Sequence, residues 1–453
     1  MTSPLVALDT LPRYAREIDN LRAALEWSFS HDPGDLGVGL VAAAVPVFPA
    51  MSLLSECHRW SERGLQALDD ARRGTAEEMR LQDGLGHSLM FTRGGNDEAR
   101  TALERGLVIA EERRDFPYQV RLLEWLTVFH YRGGHFRTAL QYAKRISAVA
   151  KMFGDPGAIA LAHFLVGNSL YVAGELAGAR AELEATPKHR SRTIYSDFDQ
   201  YVGADMSLAS TLCMQGYPDR AISLVRRTLD GVREAEHSVT SSIVLRHSAL
   251  LFIWIGDLQT AERLADRYIA NAQSHSFAPQ IAAGRGLKAE LAIRRGDAQN
   301  GVAALKEALG ELEATQYMIL TSTLNIALAE GLAAAGRFAE ALKVIDDAIR
   351  FVEDNGDMVY MPELLRVRGA TLVAMPLPRL DEAEAHFASS LELSRRQGAR
   401  SGELRTAIDL AKLMIAQGRG EAARALLEPM ADSFDEGFDT VDFRTARGLL
   451  TTL

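Results

Sequence analysis

The feature that most constrains this 453-residue chain is a short turn signal that returns at a nearly fixed interval. GNDEA, GHFRTA, GELAGA, GYPDRA, GDLQTA, GDAQNG, GRFAEA, PRLDEA and GRGEAA follow one another down the sequence. With Gly94, Gly134, Gly174, Gly216, Gly256, Gly296, Gly336, Pro378 and Gly418 as markers, successive spacings are 40, 40, 42, 40, 40, 40, 42 and 40 residues. Self-similarity at such a period builds a chain of like units, each burying its apolar face against its neighbours.

Each unit reads as helix, tight turn, helix and link. Five residues after the markers stand Ala99, Ala139, Ala179, Ala221, Ala261, Gly301, Ala341, Ala383 and Ala423. Seven before them stand Thr127, Gly167, Ala209, Ala249, Ala289, Ala329, Thr371 and Ala411, with His87 the exception. Short side chains at two fixed offsets let antiparallel backbones approach closely, and the marker glycine supplies the left-handed residue that stops the first helix.

The stretch ALAEGLAAAGRFAEALKVIDDAI at 327–349 resembles the tetratricopeptide repeat (TPR) family. The resemblance covers about residues 75–430, and the period of about 40 exceeds the usual 34. It implies an all-α fold, a right-handed α-solenoid of antiparallel helix pairs, with the first helices lining the concave side. Residues 1–74 then form an N-terminal helical joint or cap, and 431–453 a C-terminal capping segment.

Composition narrows the function classes. A net charge of −10, from 50 basic and 60 acidic residues without long blocks of one sign, disfavours general binding to nucleic acid or anionic membranes. Two cysteines, Cys57 and Cys213, suit a reducing, cytoplasmic setting and read as core thiols. No signal peptide is evident, since Asp9, Glu17, Asp19 and Glu26 interrupt the first thirty residues. The uncharged stretch at 36–55 has the length of a bilayer span, but two glycines, Pro46 and Pro49 favour a buried helical pair.

Motifs for chemistry are missing. There is no GxxxxGK[ST] phosphate loop, no HExxH and no GxSxG elbow. GRGLKA at 284–289 spells a dinucleotide fingerprint without the strand that must precede it. His130 and His135 straddle a turn, where a solvated or capping role is expected. The acidic run DSFDEGFDTVD at 432–442 lacks the alternating ligands and final Glu of a calcium loop. No catalytic residue, cofactor or metal is therefore expected, and an enzyme embedded in the solenoid is the remotest alternative.

What remains is surface. First-helix positions about 13, 10, 6 and 3 before the markers face the groove, and the candidates there are Arg121, Glu124, Tyr131, Asn168, Tyr171, Arg246, Glu290, Arg368 and Arg405, alongside Met206 and Glu330. Aromatics and arginines are residue types that anchor ligands. Among them Tyr131, Tyr171, Arg246 and Arg368 are the leading candidates.

The ends carry a second resemblance. EIDNLRAALEW at 17–27, LSECHRWSERGLQALD at 54–69 and LLEPMADSFDEGFDTVDFRTARGLL at 426–450 are similar to the joint and closing segments of bacterial STAND-type ATPase regulators, in which winged-helix or cyclase and ATPase modules precede a repeat superhelix. The resemblance implies a module that binds a protein, peptide or small effector in its groove for a transcriptional or signalling regulator. Met1 lies about ten residues before the joint, so a free-standing sensor with a separate ATPase or DNA-binding partner, a truncated gene and an upstream start all stay open. Direct DNA binding is the rival reading, and no helix-turn-helix with a basic face supports it.

Overall fold

The computed structural model describes residues 11–51, 53–92, 96–187, 198–232 and 238–453; the Gly94 marker lies outside them. Four helices come first: α1 (Leu11–His31), α2 (Val38–Ala44), α3 (Val47–Ala50) and α4 (Leu54–Gln66). Among the described residues nine pairs follow. These are α5 (Ala76–Thr92) with α6 (Asp97–Glu112), α7 (Phe116–Arg132) with α8 (Phe136–Phe153), and α9 (Pro156–Val172) with α10 (Leu176–Glu184). Next come α11 (Gln200–Met214) with α12 (Pro218–Gly231), α13 (Ser238–Ile255) with α14 (Leu258–Ser274), and α15 (Ala278–Arg294) with α16 (Ala298–Ala314). The last pairs are α17 (Thr321–Ala334) with α18 (Phe338–Asn355), α19 (Met361–Ala374) with α20 (Leu380–Gln397), and α21 (Arg400–Ala416) with α22 (Gly420–Asp432), before α23 (Val441–Thr452).

The turns work as their sequence predicts. At Gly336, with φ of +75°, the glycine N–H donates to the Ala333 carbonyl and the Arg337 N–H to that of Leu332, a Schellman closure of α17. The same pair of bonds recurs at Gly216, Gly296 and Gly418. The alanines five residues on are fully buried, and at Gly301 a Cβ would meet Ile293 and the Ala289 carbonyl at 2.5 and 3.0 Å. His87 breaks the small-residue rule because Gly86, one position earlier, makes the close approach against Leu103 and the Ala99 carbonyl. The second helices carry a stop signal of their own. Arg114, Gly154, Ser276, Gln316, Gly356 and Gly398, all left-handed, follow the second helices.

The chain divides into two compact units. One holds residues up to Val166 with Thr186–Tyr201 and Thr315–Tyr317; the other holds Gly167–Ala185, Val202–Ala314 and Met318–Leu453. In the first, Leu25 of α1 is buried with Val41, Phe48, Cys57, Trp60 and Leu81, and Leu21 and Phe29 pack on that cluster. The charged side of α1 is tied to α4 by Arg22–Glu56 and Arg63–Glu26 ion pairs. In the second, one cluster is built on Phe387, Leu391, Leu404, Ile408 and Leu427, and another on Ile326, Ile345, Val352 and Leu364.

By length and composition Pro33–Ala50 and Ser238–Ile255 could cross a bilayer. The first is broken into a π-helical turn, α2 and α3, and its Val38, Val41, Val45 and Phe48 belong to the core around Trp60; the second is α13, the first helix of a repeat pair. GRGLKA lies inside α15, where Gly284 meets Ile269 and Gly286 meets Leu324.

Candidate inner-wall binding site

First helices carry polar residues at spacings that align from one pair to the next, and in the second unit these residues meet. Glu290 of α15 accepts from Arg294 Nε at 2.9 Å. Arg366 of α19 is the hub: Nη2 donates to Glu330 of α17 (2.7 Å) and to Glu363 Oε1 (2.8 Å), Nε to Glu363 Oε2 (2.9 Å), and Nη1 to Asp409 of α21 (2.5 Å). Arg405 of α21 reaches Glu363 at 3.3 Å and Asp442 of α23 at 2.7 Å. This ionic ladder spans four successive first helices.

Its electrostatics follow from burial and pairing. Burial raises the Glu290 carboxyl, with Arg294 pulling the other way. Burial acts likewise on Glu363, yet Arg366 and Arg405 outweigh it and bring the carboxyl down to about 2. Buried charges are tolerated only when paired in this way. Glu330, Asp409, Asp442 and Arg294 keep roughly a fifth to a quarter of their side chains accessible, at 27, 19, 25 and 26%. Together with the covered members, they present five carboxylates against three guanidinium groups.

The predicted residues separate into three sets. Glu290, Glu330 and Arg405 join the ladder. Arg368 does not: its guanidinium pairs with Asp346 of α18 at 2.6 Å, and Arg366 occupies the place expected for it. The reason is register. First helices α15, α17 and α21 end two residues before their markers, whereas α19 ends at Ala374, four before Pro378, because its turn has two extra residues. Counting back from Pro376 puts Glu363 and Arg366 at the 13 and 10 positions. Elsewhere in this unit Asn168 Oδ1 accepts from Ser207 Oγ at 3.0 Å, and Tyr171 is buried. Arg246 donates to His247 Nε2 at 2.9 Å, and burial followed by the Arg246 charge holds that imidazole neutral.

In the first unit Arg121 and Glu124 lie buried on α7. Arg121 Nε donates to Asp83 of α5 at 2.8 Å, and its guanidinium stands 5.6 Å from the Trp125 ring, which stacks on His87 at 4.0 Å. Tyr131 packs edge-on to Phe136. His130 corrects an expectation: it is neither solvated nor capping but buried, stacked 5.3 Å from Tyr142, and lowered to about 4 by burial. Among the described residues no group of three or more His, Cys, Asp or Glu is arranged to hold a metal ion. Both cysteines are buried, and neither is in a disulfide.

Fold and site together define the class: this is a TPR-like α-solenoid of helix pairs. No known family profile matches the sequence. An uncharacterized protein of Rhizobium meliloti (strain 1021) is 24% identical over 410 residues, and the match takes in 84% of this chain and 39% of that protein. The chain thus spans about two fifths of that relative's length. Among solved structures, a Rap protein complexed with competence and sporulation factor superposes with a TM-score of 0.57 at 12% identity, over 84% of this chain and 99% of that one. A STAND signal-transduction ATPase with a tetratricopeptide-repeat sensor, from Pyrococcus horikoshii, gives a TM-score of 0.45 at 12% identity, over 82% and 55% of the two chains.

Proposed function

We propose that this chain is a non-enzymatic, cytoplasmic binding module that holds a protein or peptide partner on its inner wall, in the service of a bacterial transcriptional or signalling regulator. The observation that carries the reading is the ionic ladder. Four successive first helices aim charged groups at one another, and Glu330, Asp409 and Arg294 keep accessible edges there. Charges on an inner wall that serve packing alone would be replaced by apolar residues at little cost. A partner exchanging its own charges into the ladder gains charge-assisted hydrogen bonds in a partly desolvated setting.

The Rap protein, solved with a factor bound, shares the fold and supports the reading. The joint-like and closing segments support the regulatory association, with a STAND-type ATPase module as the companion and a small effector as an alternative occupant. Coupling to such a module requires that the occupant bind two states of the solenoid with different affinity.

Site-specific photo-crosslinking tests the proposal. A benzophenone side chain at Glu330 should capture a partner from cells, and the same group at Lys343, on a second helix with an exposed side chain, should not. Capture from both positions alike, or from neither, refutes it.

A further inference from the structure

The acidic run that failed as a calcium loop has another role. Residues 433–440 link α22 to α23 and lie against the turns of pairs more than 180 positions earlier in the second unit. Glu436 Oε1 accepts from the backbone N–H groups of Asp219 (2.9 Å) and Arg220 (3.1 Å), satisfying the open end of α12, whose own N-cap Tyr217 offers no side-chain bond. Glu436 also pairs with Arg220 at 2.9 Å, and the Gly437 N–H donates to Asp219. Phe434 fits over Gly216, Val441 over Gly256, and Asp442 holds Arg405 against the face of Trp254.

The surface beneath is cationic and aromatic. Arg180, Arg220 and Arg400 surround the Tyr217 ring at 5.3, 4.5 and 6.0 Å, and Arg400 also covers Phe434 at 4.7 Å. The strap on top is acidic and aromatic, with Asp435, Glu436, Asp439, Asp442, Phe434 and Phe438. Much of it is open to solvent: of residues 433–440 only Gly437 is buried, and Phe438 is half exposed. A cavity of about 20 Å³, lined by Cys213, Trp254, Ser401, Phe434 and Asp442 among others, runs under it.

We propose that this turn face is a docking site for acidic, aromatic-bearing segments of a protein partner, occupied here by the chain's own residues 433–442, and that such a partner displaces the strap. Charge complementarity and low burial are the grounds: segments with few buried contacts open locally while the surrounding helices stay folded. The site shares Arg405 and Asp442 with the inner-wall ladder but does not depend on the function proposed above.

The probe is a fluorescent peptide of residues 432–443, compared with one in which Asp435, Glu436, Asp439 and Asp442 are amides. A tethered strap competes at a high effective concentration, so Glu436→Gln/Asp442→Asn should raise the affinity for the acidic peptide by at least about tenfold over wild type, with no saturable binding of the amide peptide. Alkylation supplies a second readout, because Cys213 lies beneath the strap and Cys57 in a separate core. Opening the strap by the double substitution should speed labelling of Cys213 over wild type and leave Cys57 untouched, and saturating acidic peptide should slow it again. Should Cys57 of the double variant react as well, Glu436→Gln alone takes its place. Equal affinity for wild type and variant, equal binding of the amide peptide, or no binding with Cys57 still protected overturns the proposal.

Discussion

The guanidinium of Arg405 lies 3.8 Å from the centre of the Trp254 ring while its Nη2 donates to the Trp254 carbonyl at 2.8 Å, a contact across 151 positions. The same side chain pairs with Glu363 in the ionic ladder and with Asp442 at the foot of the strap. One arginine therefore belongs to both polar systems of the second unit, so damage to either should be felt at the other.

The ladder's register gives the plainest test. Arg366 is buried among three carboxylates, so Arg366→Met takes away their shared partner and should cost about 3–5 kcal/mol in urea denaturation. Arg368→Met removes one half-open pair with Asp346 and should cost less than about 1 kcal/mol. Reversed magnitudes would return Arg368 to the inner wall.

In the first unit the Asp83–Arg121 pair has almost no accessible surface. Arg121→Met should destabilise by about 3 kcal/mol or more, because Asp83 keeps a buried charge, and Asp83→Leu added to it should recover most of the loss. A double-mutant cycle on the unfolding transition measures both numbers. Strictly additive losses would mean the two groups do not see each other.

Stability should depend on pH in two windows. Burial raises Asp357 from 3.8 to about 7, so the folded state prefers its protonated form: stability is fully present below about pH 4, declines as pH rises to about 7 and is level beyond. Asp357→Asn should match wild type near pH 4 and exceed it at pH 8 by up to about 4 kcal/mol. Glu363 acts in the opposite sense, with stability present above its ordinary 4.5 and lost as pH falls toward about 2. Thermal midpoints of wild type and Asp357→Asn from pH 4 to 8 separate the first window from the second.

Two marker glycines isolate the strap contact. Gly296 and Gly256 both have strongly positive φ, but a Cβ on Gly296 would meet open space whereas one on Gly256 would strike Val441. Gly296→Ala should cost about 1–2 kcal/mol from backbone strain alone. Gly256→Ala should cost more and also speed alkylation of Cys213, and identical effects at the two sites would show that Val441 does not bear on the turn.

Much of this architecture was legible in the residues. The marker glycines, the alanines five positions later and the small residues seven before encode the helix pairs because close backbone approach and left-handed turns admit few side chains. Where the pattern slipped, a local cause is visible: Gly86 takes the role denied to His87, and two extra residues in the turn after α19 shifted the count by which Arg368 was chosen over Arg366. Arg405 and Glu290 stand at the expected positions, but their partners do not, because Glu363, Asp442 and Arg294 are ordinary surface-type residues until neighbouring pairs stack. The strap left no local signal at all. Its acidic run read as a poor metal loop, and only contacts across some 200 positions give it a purpose.

Binding of a partner on the inner wall of the second unit is measured by isothermal titration of the partner captured through Glu330 against wild type, Glu330→Gln/Asp409→Asn and Lys343→Gln. With thermal midpoints confirming the fold of each, the ladder variant should lose at least about tenfold in affinity, equivalent to 1.4 kcal/mol, while Lys343→Gln binds as wild type does. Equal affinity across all three proteins would place the partner elsewhere.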